Sequence, residues 1–173
     1  QSARPLLTNG TVLSMVGLTS VRAMAHNGLT IFLIVYMSED LGFSLFKIGY
    51  HVMLLTLLGI ISAPVMGWTS DRIGRRPVIF LGLSAITILI FSLLPFGTGW
   101  SFTVILALLG MFLYTVNPVM LATALDAVQG GTESSGTALM FTGPAIFGAI
   151  SPIIAGRLRE LYGMDGVFYY AGI

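Results

Sequence analysis

The chain of 173 residues is too apolar for a soluble protein. Hydrophobic residues make up 55% of it and charged residues only 9%, whereas a soluble globular domain carries roughly 25% charged residues. The absence of cysteine excludes disulfides, thiolate metal sites and a cysteine nucleophile, and the net charge of +1 indicates no class of partner. We therefore expect an integral membrane protein with the lipid bilayer as its main partner and with no nucleic acid bound.

Polar stretches divide the sequence into five long apolar segments and the start of a sixth. A spanning helix needs about 20 apolar residues, and these runs lack the alternating pattern of a transmembrane β-barrel. The sequence predicts an all-α membrane bundle with spans at residues 12–37, 48–68, 78–94, 102–125, 137–155 and 167–173. Because the chain opens on Gln1 and the sixth segment stops at Ile173, we expect residues 1–173 to be one six-span unit of a longer protein.

The charged residues support these spans and suggest an orientation. Of the fifteen Asp, Glu, Lys and Arg residues, fourteen lie outside the predicted spans. Cytoplasmic loops carry an excess of Lys and Arg, and the densest basic cluster consists of Arg72, Arg75 and Arg76. We therefore expect residues 69–77 to face the cytoplasm, in a multi-pass protein of the plasma (inner) membrane.

Residues 67–76 form the most informative segment and read Gly-Trp-Thr-Ser-Asp-Arg-Ile-Gly-Arg-Arg. Glycine at position 67 permits a neighbouring helix to approach closely, Asp71 offers a carboxylate to an arginine, and Gly74 permits a tight reversal. An ordinary cytoplasmic loop with three arginines is the alternative interpretation.

The same segment resembles the signature of the major facilitator superfamily, Gly-x-Leu-Ala-Asp-Arg-x-Gly-Arg-Arg/Lys, which lies between the second and third spans. Thr69 and Ser70 depart from the pattern at its Leu and Ala positions. Six positions match it, namely Gly67, Asp71, Arg72, Gly74, Arg75 and Arg76.

The resemblance implies a fold of two six-span bundles with the solute bound between them. It also implies that the loop is a conformational latch in which Asp71, Arg72 and Arg76 make and break contacts during alternating access. The predicted fourth span lacks the arginine of many N-terminal halves, and residues 151–158 resemble the penultimate span of a C-terminal half. We therefore expect this chain to be the C-terminal half, with the other six-helix half as its partner.

Arg22 is the one charged residue inside a predicted span. Such a residue is a functional candidate because a charge is costly in the bilayer. His26 lies four residues later on the same helix face, with Asn27 beside it. Arg22 could bind an anionic group of the solute or pair with a carboxylate of the other half, and His26 could carry a coupling proton. The alternative is that both side chains make structural hydrogen bonds, or that Arg22 extends toward a membrane surface.

Two further spans carry candidate residues. In the fourth, Tyr114 and Asn117 lie next to Pro118, which frees a backbone carbonyl. They are candidates to line a cavity, or else they belong to a packed kink. In the fifth, Pro144, Gly148, Pro152 and Gly156 recur at every fourth residue, and this pattern favours a helix that packs closely and bends.

His51 is interpreted as an interfacial residue at the start of the second span, without a functional role.

Secondary transport of a small solute, coupled to an ion gradient, explains the spans and the loop signature together. The alternative is a membrane sensor or scaffold that does not transport but has a transporter-like fold. An enzyme is not expected, because the sequence lacks a Gly-x-Ser-x-Gly nucleophile turn, paired carboxylates within the spans and a His-Glu-x-x-His metal motif. No nucleotide-binding phosphate loop is present either, so neither a cofactor nor a metal ion is expected.

Overall fold

The computed structural model describes residues 9–96, 99–126 and 133–172, and no strand occurs within these ranges. This confirms the predicted all-α class. The first helix continues into a π-helical turn, Tyr36–Asp40. The helices are α1 Gly10–Val35, α2 Leu45–Ile73, α3 Arg75–Phe96, α4 Gly99–Leu113, α5 Val116–Asp126 and α6 Glu133–Gly172.

Within the described ranges, five helical segments are long and apolar enough to cross a membrane. Their outer surfaces carry large exposed apolar side chains, among them Phe80 at 71% and Ile153 at 75% exposure, which lipid can cover and water cannot. The chain is therefore an integral, multi-pass membrane protein. The five segments are Gly10–Asp40, Leu45–Ile73, Arg75–Phe96, Gly99–Asp126 and Ser134–Gly172.

The helix ends follow local chemistry. Asn9 caps α1, since its side chain accepts hydrogen bonds from the backbone N–H groups of Thr11 and Val12, and Ser44 caps α2 in the same way through the N–H of Lys47. Gly74 separates α2 from α3 with φ 97° and ψ 153°, a conformation that side chains with a Cβ rarely adopt. The expected tight reversal at Gly74 is present.

Two helices extend beyond the predicted spans. Between the second and third predicted spans only Gly74 is non-helical, and after residue 155 the helix continues to a break at Gly163, where φ is 69° and ψ is −162°. Polar residues outside the apolar runs tolerate a helix, and these two breaks lie at Gly74 and Gly163, which adopt positive φ. The helical residues 164–172 that follow include the expected start of the sixth span at 167. Parts of two predicted connectors, residues 97–98 and 127–132, lie outside the described residues.

Small residues bring the helices together at two contacts. Along α1 and α6, a Cβ on Gly28 would lie 2.8 Å from Ser151 Oγ, and Ser151 donates a hydrogen bond to the carbonyl of Met24. Between α2 and α4, a Cβ on Gly110 would collide with the backbone of Leu55. Around these contacts the core is apolar and includes Leu29, Leu33, Ile90, Phe102, Leu106, Leu109, Met120 and Phe168.

Candidate functional site

The fourth span is interrupted in its middle, between α4 and α5. Pro118 has no N–H to donate to the carbonyl of Tyr114, four residues earlier, and the chain makes a turn at Tyr114 and Thr115. The N–H of Thr115 donates instead to the carbonyl of Phe112 at 3.2 Å. The break leaves the last carbonyls of α4 without their usual helical partners.

Hydroxyl groups and one guanidinium satisfy these carbonyls. The hydroxyls of Ser62 and Thr115 donate to the carbonyl of Met111 at 2.8 and 2.7 Å. Arg22 of α1 donates through Nη2 to the carbonyl of Leu113, the last residue of α4. The helix break therefore creates the acceptor that receives the intramembrane charge.

Arg22 keeps most of its hydrogen-bonding capacity. A guanidinium has five N–H donors; its Nε is buried and has no partner among the described residues. In the same part of the chain no carboxylate forms an ion pair with Arg22. A charge in this position needs compensation, and the single carbonyl supplies only part of it.

His26 and Tyr114 lie next to Arg22. The rings of His26 and Tyr114 meet edge to face, with centroids 5.4 Å apart, and His26 Nδ1 is buried without a partner among the described residues. Arg22 and His26 line a cavity of about 140 Å³. Its other walls are mostly apolar and include Leu18, Val21, Leu83, Ile86 and Ile90.

Two predicted site residues lie elsewhere. Asn27 is one residue beyond His26, and successive residues on a helix point about 100° apart. It packs against α6, where a Cβ on Gly148 would collide with Asn27 Nδ2. Asn117 is exposed on α5, which begins after the turn at Tyr114 and Thr115. The structure therefore brings Arg22, His26 and Tyr114 together but not Asn27 or Asn117.

The loop signature forms an ion-pair network around one arginine. Arg75 Nη1 lies 3.4 Å from the carboxylate of Asp71, and Arg75 Nε lies 2.5 Å from Asp126 Oδ2 at the end of α5. Arg72 instead stacks on the ring of Trp68 at 3.9 Å. Arg76 is exposed, with no ion pair to another described residue. Of the three arginines, only Arg75 forms ion pairs with other described residues, and the latch role of Asp71, Arg72 and Arg76 stays a prediction.

Gly67 does not have the close neighbour expected of it. Nothing described lies within 4 Å of the position that a Cβ on Gly67 would occupy. The close approach of α2 to another helix occurs further back, at Gly59, where a Cβ would lie 2.8 Å from the side chain of Tyr114. The matching glycine at position 67 therefore has no packing partner within the part of the chain that the structure describes.

The proline and glycine residues that recur at every fourth position of the fifth span contact α1 at two of their four positions. Gly148 contacts Asn27, and a Cβ on Gly156 would lie 3.4 Å from Phe32, while Pro144 and Pro152 are half-buried. The α6 backbone keeps helical angles at both prolines, and its one non-helical residue is Gly163. The two glycines of this pattern pack against α1, and the bend expected at the prolines stays a prediction.

His51, at the start of the second span, is buried within the protein, and its position at the membrane interface stays a prediction. It is only 2% exposed. Its Nδ1 bonds to the carbonyl of Lys47 at 2.7 Å and its Nε2 to the hydroxyl of Thr103 at 3.0 Å. The aromatic rings of Phe43 and Phe102 pack around it at 5.3 and 5.5 Å. The sequence carries one signal for this burial: the spacing of His51 from Ile48 and Leu55 puts all three on the same, buried face of α2.

A second ion-pair network closes the opposite end of the bundle. Arg159 of α6 lies 2.7 Å from Glu39 and 3.3 Å from Asp40, both in the π-helical turn after α1. The sequence indicated these charges but not their pairing. Among the described residues no group of three or more His, Cys, Asp or Glu could hold a metal ion.

Comparisons with known proteins agree on one family. A family model described as the Major Facilitator Superfamily matches residues 15–173. The chain is 35% identical over 119 residues to the multidrug resistance protein MdtG of Proteus mirabilis, which covers 65% of this chain and 28% of MdtG. It is 33% identical over 141 residues to the multi-drug resistance efflux pump PmrA of Streptococcus pneumoniae, covering 78% and 34% of the two chains.

A third relative is named for an anionic solute. The chain is 27% identical over 137 residues to the "Probable sulfoacetate transporter SauU" of Cupriavidus necator, covering 74% of this chain and 32% of SauU. The match thus spans about a third of the length of these curated relatives. No solved structure gives a significant match.

Proposed function

The chain belongs to the major facilitator superfamily, and on this basis we propose that the full-length protein is a secondary transporter that moves a small solute across the membrane by alternating access. In this proposal residues 1–173 are one six-helix half, the C-terminal one, and work with a second half across the solute pathway. The signature loop faces the cytoplasm across the plasma (inner) membrane. The observation that carries the proposal is the partly unsatisfied Arg22 guanidinium beside His26 in the middle of the membrane-spanning bundle.

We propose that the solute is a small organic anion. Arg22 has N–H donors to spare, and a carboxylate or sulfonate would supply the missing counter-charge. The apolar walls beside Arg22 and His26 suit a short hydrocarbon part. The name of SauU refers to an anionic solute, whereas those of MdtG and PmrA refer to drugs, so the anion preference rests on Arg22 rather than on the relatives.

His26 is proposed to couple solute movement to protons. A protonated His26 would place a second positive charge one helical turn from Arg22, and an anion bound between the two would stabilise both. Proton binding and anion binding then favour each other, and this coupling is reciprocal. The arrangement favours symport of the anion with a proton.

The signature loop is proposed to act as the latch, with Arg75 as its central arginine. Arg75 joins the α2–α3 turn to the end of α5 through Asp71 and Asp126. Both carboxylates are largely exposed, at 67% and 60%. Exposed pairs contribute little energy each, so they can break and re-form during a transport cycle.

The test is solute flux into proteoliposomes that contain the full-length protein. Labelled small carboxylates, sulfonates, neutral solutes and organic cations are compared with and without a pH gradient. We expect gradient-dependent flux of an anion, loss of the gradient dependence in His26→Ala, and weakened affinity in Arg22→Ala. Arg157→Ala is the matched control, because Arg157 is exposed and pairs only with Glu160 in the same helix.

Each alternative has its own outcome. Absence of flux for every solute class, with intact protein in the vesicles, would favour the sensor or scaffold. Flux of neutral or cationic solutes with unchanged affinity in Arg22→Ala would retain transport but refute the anion preference. Equal gradient dependence in wild type and His26→Ala would refute the coupling role.

A further inference from the structure

A groove lies between the beginnings of α2 and α4, at the end of the bundle away from Arg75. Its volume is about 370 Å³, and its lining includes Phe43, Lys47, Tyr50, His51, Trp100 and Thr103. It shares no lining residue with the cavity at Arg22 and His26. Its role is therefore separate from the proposed solute site.

The groove carries one positive charge that forms no ion pair with another described residue. The ammonium of Lys47 lies over the ring of Phe43, 3.5 Å from the ring centroid. None of the ion pairs between described residues includes Lys47, and the nearby acidic turn, Glu39 and Asp40, is paired with Arg159. An ammonium group has three N–H donors, so Lys47 can still bind an anion that enters the groove.

The surroundings of the groove are those of a membrane interface. Trp100 is 85% exposed and Tyr50 is 47% exposed, and beside them Leu45 and Phe46 are each 87% exposed. Trp and Tyr are enriched where helices cross the headgroup region, with their rings toward the acyl chains and their polar atoms toward water. Lys behaves in the same way, with an apolar stem and a charged tip. The groove thus opens at the level of lipid headgroups.

The floor of the groove is fixed by His51. A carbonyl oxygen can only accept, so the His51 Nδ1 that contacts the Lys47 carbonyl carries the hydrogen. In the neutral ring, Nε2 then accepts from the hydroxyl of Thr103 on α4. This bridge joins α2 to α4 at the floor of the groove.

We propose that this groove binds the headgroup of an anionic phospholipid. Lys47 is the counter-ion of the lipid phosphate, the hydroxyl of Tyr50 and the indole N–H of Trp100 lie at the same level as further donors, and the acyl chains run along Leu45 and Phe46. A single positive charge in a groove without carboxylates complements a phosphate, and the exposed apolar side chains complement the chains. This role does not depend on which solute the protein transports.

The test is lipid binding by the delipidated full-length protein, measured by native mass spectrometry during titration with phosphatidylglycerol or phosphatidylcholine. We expect Lys47→Gln to weaken phosphatidylglycerol binding about fivefold, the effect of one basic residue near an anionic membrane surface, and to leave phosphatidylcholine binding unchanged. Arg157→Gln, at the same end of the bundle and 70% exposed, is the control and should leave both unchanged. When Tyr50 is replaced by a photoreactive benzophenone residue, the protein that keeps Lys47 should cross-link to phosphatidylglycerol. The same protein with Lys47→Gln should cross-link less.

Three results would overturn the proposal. One is equal phosphatidylglycerol binding by wild type and Lys47→Gln when both elute as a single folded species. Another is displacement of the lipid by inorganic phosphate alone, which would make the groove a site for free phosphate. The third is an equal loss in Arg157→Gln, which would assign the binding to the general charge of that surface.

Discussion

Removing Arg75 should uncouple the signature loop from α5. Arg75 is the one side chain that contacts both Asp71, at the end of α2, and Asp126, at the end of α5. Replacement by glutamine gives a shorter side chain that is still polar and removes the charge. Both ion pairs are lost together, whereas Asp71→Asn removes only the longer of the two.

The size of the effect follows from the geometry. The Arg75 side chain is 28% exposed, and its partner atom on Asp126 is 2.5 Å away, so this pair should contribute near the upper end of the roughly 0.2–1 kcal/mol seen for exposed pairs. The Asp71 pair, at 3.4 Å, should contribute about 0.3 kcal/mol. We therefore expect Arg75→Gln to lower the free energy of unfolding by about 1 kcal/mol, most of it through Asp126.

A double-mutant cycle with Arg75→Gln and Asp126→Asn measures this coupling directly. The free energy of SDS-driven unfolding of the full-length protein is determined for the wild type, both single variants and the double variant. The coupling should shrink at high ionic strength, because exposed charges are screened. Arg76→Gln is the control, since Arg76 is exposed and forms no ion pair with another described residue. A coupling below about 0.2 kcal/mol, or an equal effect of Arg76→Gln, would refute the reasoning.

Two further predictions concern helix contacts. Gly110→Ala should destabilise the protein by about 1–3 kcal/mol, because the new Cβ would collide with the Leu55 backbone. Gly17→Ala is the control, since no described atom lies within 4 Å of the new Cβ there. Its thermal unfolding should occur at the wild-type temperature or above. Thr103→Val should lower the unfolding free energy by about 1–2 kcal/mol, because it leaves His51 Nε2 buried without its partner; an unchanged melting temperature would contradict this.

The helices could be predicted because a spanning helix is a local property of the sequence. Long apolar runs satisfy the backbone internally in lipid, and Gly74 supplies the conformation needed for the tight reversal. Arg22 could be identified as well, since one charge among so many apolar residues is visible without any tertiary information. Its acceptor, the carbonyl of Leu113, could not be predicted. The packing of α1 on the fourth span decides which backbone carbonyl lies within reach of Arg22.

The contacts that the sequence could not predict share a physical cause. Asn117 and Tyr114 are close in the sequence, but the turn at Tyr114 and Thr115 precedes α5, on which Asn117 is exposed. The burial of His51 depends on Phe102 and Thr103 of another helix. The i, i+4 spacing of Asp71 and Arg75 is visible in the sequence, but the pairing of Arg75 with the distant Asp126 is not. Each of these facts requires knowledge of how distant segments meet.

The eleven-residue helix α5 lies between the two candidate functional regions of the chain. One end begins just after Tyr114 and the carbonyl that binds Arg22, and the other end is Asp126, which binds Arg75. A helix of this length spans about 16 Å. Because α5 has one end at each of these places, we expect a shift of α5 near Arg22 to change the distance between Arg75 and Asp126 at its other end.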